Sequence, residues 1–277
     1  MFLLNGESRH LVDVSDRGFQ YGDGLFETLE VLQGKALFLD RHLQRLTDGC
    51  QRLLLPPPDW QLLQQEAQQL IANTEHGVLK IIITRGVGGR GYRQPDAIVP
   101  TRLLSLHPYP QYPTTFQSQG IVTRFCDQLL SINPSLAGIK HLNRLEQVLA
   151  RAEWRDEAIQ EGLMRDSNGH LIEGTMSNLF MVKNAVLYTP ALTQSGIAGI
   201  VRQLVLEFAE QISLPVSIQS LNKDQLLQAD EVFVTNSVIG IWPVKQIAEQ
   251  FFQVGAWTQR LQTLLNQARL SEVENHD

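Results

Sequence analysis

The sequence has only two cysteines, Cys50 and Cys126, among its 277 residues. Two thiols are too few for a disulfide framework or a cysteine-based zinc site, so we expect no bound metal and a reducing compartment. Positive charge is also scarce: 23 Lys and Arg stand against 29 Asp and Glu, and the net charge of −6 argues against a nucleic-acid partner. No apolar run approaches the roughly 18 residues of a membrane span, and the first residues become polar too early for a signal peptide. These absences predict a cytoplasmic protein that acts on small molecules and has no membrane partner.

The remaining composition is that of an ordinary globular protein, and the length favours two domains. Three prolines fall within a short stretch that lacks periodicity, which indicates a linker at 108–113. We therefore expect a smaller N-terminal α/β domain at 1–107 and a larger C-terminal domain at 114–277.

Strands and helices alternate in no fixed order, which predicts an α+β fold. Apolar stretches around tight turns predict two hairpins, over 2–14 and 25–39. Helical spacing of apolar residues predicts a helix capped by Asp40, a second after Asp59, and others over about 141–159, 200–212 and 257–270. In the third of these, the predicted apolar face consists of Leu142, Leu145, Leu149 and Ala152.

Residues 86–91 fit the G-x-G-x-x-G pattern of dinucleotide-binding proteins. The sequence that follows does not open an amphipathic helix, and no acidic residue lies about 20 positions further on to bind a ribose. We therefore reject a nicotinamide site and expect a flexible loop. Arg85, Arg90 and Arg93 at its rim would suit a ligand that carries carboxylates.

Lys140 stands among apolar residues at the start of a predicted helix. The positive end of a helix and desolvation both lower the pKa of an amine, and a neutral amine can form a Schiff base with an aldehyde. An ordinary surface lysine at a helix start is the alternative.

Glu173 ends an apolar strand and is followed by glycine. A carboxylate in such a place needs a cationic partner, either a protonated pyridine nitrogen or a structural ion pair. The helix that begins at Gly199 has no acid in its first turn, so the amides of Ile200 and Val201 are suited to a phosphate. A Schiff-base lysine, a pyridine partner and a phosphate-binding helix are together what pyridoxal 5′-phosphate requires.

In these features the chain resembles the fold-type IV pyridoxal-phosphate enzymes, which share a two-domain, D-amino-acid aminotransferase-like fold. That family includes branched-chain aminotransferases, D-amino-acid aminotransferases and aminodeoxychorismate lyases. The resemblance covers nearly the whole chain in order and is carried by Gly22–Thr28, His42–Leu46, Lys140, Glu173–Phe180, Gly199-Ile200 and Phe233–Val244.

The resemblance implies that the protein is a homodimer, and it implies roles for particular residues. Lys140 would be the catalytic residue and hold the cofactor covalently, and Glu173 would face the pyridine nitrogen. The other cofactor-binding residues would be Arg45, Ile200, Val201, Asn236 and Ser237, with the phosphate bound by Arg45, the amides of Ile200 and Val201, and Ser237. The substrate-binding residues would be Thr28, Arg90, Tyr92 and Arg93.

Within the family, residues 136–147 and 85–92 resemble the aminodeoxychorismate lyases. D-amino-acid aminotransferases typically bind the substrate carboxylate with a tyrosine and a histidine, where this chain has Phe26 and Tyr92. The branched-chain enzymes lack the arginine-rich loop. The resemblance thus implies a lyase that converts 4-amino-4-deoxychorismate into 4-aminobenzoate and pyruvate in folate synthesis, with an aminotransferase for D-amino or branched-chain amino acids as the alternative.

Overall fold

The computed structural model describes residues 1–274, which divide into two compact units. Unit 1 comprises Met1–Pro110, Ile139–Asn143 and residues 269–274, and unit 2 comprises Gln111–Gly138 and Arg144–Ala268. The domain boundaries expected from the sequence, 1–107 and 114–277 with a linker at 108–113, stay a prediction. Residues 275–277 of the expected second domain lie outside the described residues.

Unit 1 is built on an antiparallel five-stranded sheet with strand order β1-β5-β4-β2-β3. Apolar side chains from alternate positions of its strands pack against two helices, and their core includes Leu29, Leu46, Leu63 and Ile81. Its elements are β1 (Phe2–Leu4), α1 (Arg17–Tyr21), β2 (Gly24–Leu32), β3 (Lys35–Ala36), α2 (Leu39–Arg52), α3 (Trp60–Ile71), β4 (His76–Thr84) and β5 (Thr101–Pro108).

Local sequence signals account for most of unit 1. Asp59 caps α3 by accepting a hydrogen bond from the Leu62 amide at 3.0 Å, as expected. The helix attributed to an Asp40 cap begins at Leu39 instead, after Phe38 in a left-handed conformation. The hairpin over 25–39 is confirmed as β2 and β3, but its second arm ends at Ala36 and Leu39 already belongs to α2.

The first predicted hairpin is wrong in its second arm. Leu11 and Val14 are 85% and 75% exposed and belong to no strand, whereas β1 pairs with β5. The backbone here turns instead toward α1, because Asp13 accepts a hydrogen bond from the Ser15 amide at 2.8 Å and Asp16 caps the helix.

Unit 2 contains a nine-stranded sheet in which six strands, β9-β12-β13-β6-β7-β8, close into a ring through the pairing of β8 with β9. Its elements are α4 (Thr115–Ser118), β6 (Ile121–Leu130), α5 (Leu145–Arg151), β7 (Glu161–Asp166), β8 (Leu171–Gly174), β9 (Asn178–Lys183), β10 (Val186–Pro190), α6 (Ile200–Gln211), β11 (Val216–Gln219), α7 (Lys223–Leu227), β12 (Glu231–Asn236), β13 (Gly240–Ile247), β14 (Gln250–Phe251) and most of α8 (Ala256–Glu274). The α+β class is confirmed. None of the helices in residues 1–274 combines the length and hydropathy of a membrane span.

The helix predicted over 141–159 is wrong in its extent and in its buried face. α5 spans only Leu145–Arg151, and Leu145 and Leu149, expected in the core, are 76% and 56% exposed. The segment before it is extended because its backbone hydrogen bonds go to the start of β2, where the Leu142 amide donates to Gly24 O at 3.0 Å.

Candidate active site

Lys140 lies in an extended segment of unit 1 that is fixed to the start of β2. Its carbonyl accepts a hydrogen bond from the Phe26 amide at 3.0 Å, and its Nζ stands 4.2 Å from the centre of the Phe26 ring. The expectation that Lys140 begins a helix is therefore wrong, and a helix dipole cannot account for its chemistry. Instead, the backbone anchors a half-buried amine over an aromatic face.

Thr28 lies on the same face of β2 as Phe26, because side chains alternate along a strand. It pairs in register with Lys80, whose Nζ is 5.5 Å from the Phe26 ring centre. Thr28 and Phe26 are both partly exposed, whereas Leu25, Glu27 and Leu29 between and beside them are buried on the other face. This face of β2 thus carries a hydroxyl near the lysine-bearing segment.

Arg45 of α2 is bound to a buried carboxylate that the sequence analysis did not single out. Its Nε donates to Glu27 Oε1 at 2.7 Å, and a second nitrogen contacts Oε2. Burial raises the pKa of Glu27, but the positive charge of Arg45 and the contact with His42 outweigh this and lower it to about 2. Glu27 is therefore an anion that fixes the orientation of the Arg45 guanidinium.

His42 shares the same carboxylate. Its Nδ1 lies 2.6 Å from Glu27 Oε2, and its buried Nε2 has no hydrogen-bond partner among residues 1–274. Burial lowers the pKa of His42, which favours the neutral ring. The neutral ring donates from Nδ1 to Glu27 and leaves Nε2 as an acceptor.

Arg85 does not lie at the rim of the glycine-rich loop (residues 86–93), as the sequence analysis expected. It is 3% exposed and binds Asp23 through Nε at 2.7 Å and the carbonyls of Leu53 and Leu54 at 2.8 Å each. Burial raises the pKa of Asp23, but the hydrogen bonds and charges of Arg85 and Arg17 outweigh this and lower it. Arg85 therefore stabilises the fold of unit 1, and four of its five N–H groups already donate to protein acceptors.

The glycine-rich loop is instead held from within by Arg17. This buried side chain binds Asp23 at 2.9 Å and donates to the carbonyls of Gly91 at 2.9 Å, and of Tyr92 and Arg93 at 3.4 Å each. One guanidinium thereby links three consecutive carbonyls of the loop to α1.

The three side chains expected to bind substrate on this loop point outward. Arg90 is exposed, Tyr92 is 86% exposed with its ring 5.5 Å from that of Tyr21, and Arg93 pairs with Asp96 at 2.6 Å. No helix follows the loop within 85–100, which agrees with the rejection of a dinucleotide fingerprint. The loop offers exposed guanidinium groups on a backbone that Arg17 anchors.

Glu173 is buried at the end of β8 in unit 2, where it pairs in register with Asn178. Its Oε2 accepts a hydrogen bond from the Ile197 amide at 2.7 Å. Nearby, burial lowers the pKa of Arg144, while the charges of Glu173 and Glu146 act in the opposite direction. The carboxylate is thus placed where negative charge is little screened by solvent.

The N-terminus of α6 lies against the side chain of Asn178. Gly199 is its cap residue, and a Cβ there would come within 2.0 Å of Asn178 Oδ1, so any larger residue would displace the Asn178 side chain. No side chain caps the helix and no acid lies in its first turn, which contains the buried Ile200 and Val201. Thr235 lies opposite Asn178 on β12, and its buried Oγ1 has no hydrogen-bond partner among the described residues. Such a corner is suited to a phosphate.

Asn236 shapes the turn that carries Ser237. Its Oδ1 accepts hydrogen bonds from the amides of Val238 at 2.8 Å and Ile239 at 2.9 Å, and its Nδ2 donates to Met176 O at 3.0 Å. The side chain of Asn236 is thus engaged by protein groups, whereas Ser237 is half-buried at the tip of the turn.

Glu27, His42 and Arg17 are the site residues that sequence reasoning missed. Glu27 carried a usable signal, because it occupies a core-facing position of the alternating strand β2, where a charge needs a partner. Arg17 carried no signal for its role in the loop, since its acceptors there are backbone carbonyls about 75 residues away.

Comparison with known proteins gives consistent matches along the chain. The sequence profile of the family described as amino-transferase class IV matches residues 24–247. The chain is 37% identical over 270 residues to aminodeoxychorismate lyase of Vibrio harveyi, which covers 96% of this chain and 100% of that protein. It is 30% identical over 282 residues to D-alanine aminotransferase of Bacillus licheniformis, with 98% and 97% covered. The crystal structure of 4-amino-4-deoxychorismate lyase from Pseudomonas aeruginosa superposes with a TM-score of 0.93 at 45% identity, with 96% and 98% covered.

Proposed function

Because the chain belongs to the class IV aminotransferase family, we propose that it is a pyridoxal-phosphate lyase that converts 4-amino-4-deoxychorismate into 4-aminobenzoate and pyruvate. It is more similar to the two lyases, at 37% and 45% identity, than to the D-alanine aminotransferase, at 30%. This reaction is a step of folate synthesis.

The observation that carries the lyase assignment is the position of Phe26 beneath Lys140. D-amino-acid aminotransferases typically have a tyrosine at this place, whose hydroxyl binds the substrate carboxylate. Here the ring lies 4.2 Å from the lysine amine and has no hydroxyl to donate. The lost donor weakens the D-amino-acid aminotransferase alternative. The branched-chain alternative is weakened instead by the arginine-rich loop, which branched-chain enzymes lack.

The residues present fit pyridoxal 5′-phosphate. Unit 2 offers a glycine-capped helix N-terminus, a buried hydroxyl on Thr235 without a protein partner, and the buried carboxylate of Glu173. Unit 1 offers Lys140 and the oriented guanidinium of Arg45. We assign the cofactor to Lys140, Arg45, Glu173, Ile200, Val201, Asn236 and Ser237, with Asn236 acting through the turn it shapes.

When bound, pyridoxal phosphate supplies an aldehyde that captures an amine and a ring that accepts electrons. Lys140 would hold the cofactor through its Nζ, and the same atom, once free, would remove the substrate's ring proton. The C–O bond to the enolpyruvyl group breaks as the ring becomes aromatic, and Lys140 returns the proton to the enolpyruvyl methylene, which gives pyruvate. Glu173 supplies the negative charge that keeps the pyridine nitrogen protonated.

The substrate carries two carboxylates, and we propose that Arg90 or Arg93, whose guanidinium groups are exposed, binds one of them. Tyr92 and Thr28 complete the proposed substrate-binding set. Their support is the placement of Thr28 on the same strand face as Phe26 and the anchoring of the loop backbone by Arg17.

The test is an absorbance spectrum and a product assay on the purified protein. We expect a yellow protein that releases 4-aminobenzoate, and borohydride reduction should attach the cofactor to the peptide that contains Lys140. Lys140→Ala should lose the yellow colour and the release of 4-aminobenzoate, whereas Lys245→Ala, at an exposed position, should keep them. A yellow protein that only exchanges amino groups between D-alanine and 2-oxoglutarate would establish the aminotransferase instead.

We also propose that the protein is a cytoplasmic homodimer. α5 presents Leu145, Val148 and Leu149 with 76%, 60% and 56% exposure, which is an apolar face suited to a second copy. Cys50 and Cys126 are both free thiols, as a reducing compartment favours. Light scattering should give twice the mass of the chain, and Leu145→Glu should shift it toward the monomer.

A further inference from the structure

Glu161, the first residue of β7, is a buried carboxylate that binds the turn between the next two strands, β8 and β9. It is 1% exposed and accepts five hydrogen bonds, from the amides of Gly162 at 2.8 Å, Thr175 at 3.0 Å and Met176 at 3.3 Å, and from the hydroxyls of Thr175 and Ser177 at 2.6 Å each. None of these donors is a charged side chain. Four of the five belong to residues 175–177, so the carboxylate acts as the template of that turn.

The 174–177 turn is tightly packed, and its first residue cannot take a side chain without a shift of its neighbours. The Gly174 amide donates to Ser177 O at 2.6 Å, and a Cβ on Gly174 would lie 2.3 Å from Ser177 Oγ and 2.7 Å from Glu161 Oε2. The turn joins Glu173 to Asn178, which are opposite each other in the β8–β9 pairing. The position of Glu173 therefore depends on how the turn sits on Glu161.

The same turn reaches a second part of the site. Met176 O accepts a hydrogen bond from Asn236 Nδ2 at 3.0 Å, and Asn236 in turn holds the amides that follow Ser237. A continuous series of hydrogen bonds thus runs from Glu161 through Met176 to Asn236 and the amides of Val238 and Ile239, which follow Ser237 in the turn. All of it lies within unit 2.

We propose that Glu161 is a positioning residue for cofactor binding: it sets, through the 174–177 turn, both the carboxylate of Glu173 and the turn that carries Ser237. This rests on the proposed function, which assigns those two residues to pyridoxal phosphate. The five hydrogen bonds of Glu161 come from residues 162 and 175–177, so it would act on the cofactor through them.

The test compares Glu161→Gln with Glu231→Gln. Glu231 is a matched control, because it also opens a strand, is 7% exposed, and accepts hydrogen bonds from the amides of Trp257 at 3.2 Å and Thr258 at 2.8 Å. It lies at the opposite end of β12 from Asn236. In both variants the new amide directs an N–H at protein donors, so both should unfold at a lower temperature.

The two variants should differ in cofactor affinity, measured by equilibrium dialysis of the holoenzyme against pyridoxal phosphate. We expect the Kd of Glu161→Gln to rise about tenfold or more, since small displacements of a positioned group are strongly felt, and that of Glu231→Gln to stay at the wild-type value. The pH titration of the bound cofactor's absorbance should also shift in Glu161→Gln alone, because it reports the distance of Glu173 from the ring.

Wild-type affinity and titration in a folded Glu161→Gln would overturn the proposal, as would equal losses in both variants. If Glu161→Gln does not fold, Ser177→Ala removes one of its hydrogen bonds and should raise the Kd in the same direction; an unchanged Kd there would equally overturn it. A wild type that binds pyridoxal phosphate but releases no 4-aminobenzoate would refute the proposed reaction, while the dialysis comparison would still decide the role of Glu161.

Discussion

Replacing Glu27 by glutamine should lower the free energy of unfolding at neutral pH and make that free energy less dependent on pH in the acid range. The carboxylate is completely buried between Arg45 and His42, with a 2.7 Å hydrogen bond from Arg45 Nε. Glutamine keeps the size of the side chain but removes its charge, so it leaves the guanidinium without a buried counterion.

The magnitude follows from the pKa of Glu27: burial raises it, but Arg45 and His42 together outweigh burial and lower it from 4.5 to about 2. A folded pKa below the unfolded one means that the pairing stabilises fully above pH 4.5, and that this stabilisation is lost as the pH falls through about 2. At about 1.4 kcal/mol per pH unit, the contribution near pH 7 is about 3 kcal/mol. More than half of it is gone by pH 3.

The assay is guanidinium unfolding of wild type and Glu27→Gln, followed by circular dichroism at several pH values. We expect a difference in the free energy of unfolding of about 3 kcal/mol at pH 7 that shrinks steadily below pH 4.5. Glu249→Gln, at an exposed position, should differ little from wild type throughout. A Glu27→Gln variant as stable as wild type at pH 7, or a gap that stays constant down to pH 3, would refute the reasoning.

Three further substitutions test other contacts. Arg17→Gln releases the carbonyls of the glycine-rich loop and should raise the KM for substrate about tenfold in the 4-aminobenzoate assay, with kcat little changed; a fall in kcat alone would contradict this. Gly199→Ala places a Cβ 2.0 Å from Asn178 Oδ1 and should weaken pyridoxal-phosphate binding in dialysis, so an unaltered Kd would argue against a phosphate at α6. Gly162→Ala brings a Cβ within 2.5 Å of Cys126 Sγ and should destabilise the fold by about 1–3 kcal/mol, seen as a lower melting temperature; no change would mean that the neighbours yield.

Local sequence patterns correctly predicted those elements whose apolar positions are buried in the folded protein. Strand β2 and helices α3 and α6 lie close to where the hairpin signal and helical spacing put them, because their apolar positions face a core. The helix predicted over 141–159 was wrong because there the local pattern and the tertiary environment disagree. Its leucines have helical spacing, but the backbone of 140–142 bonds to β2, and the short helix that follows exposes its apolar side chains.

The sequence alone determined the α+β class, the resemblance to fold-type IV enzymes and hence a cofactor lysine at position 140, since these depend on residue types and their order along the chain. The tertiary structure decided where that lysine stands: over Phe26, held by a strand and not by a helix. It also decided that Arg85 is buried in protein contacts, that Glu27 orients Arg45, and that Glu161 shapes the turn after Glu173. The physical reason is that a hydrogen bond or ion pair depends on distances between residues far apart in sequence, and local periodicity carries no information about those distances.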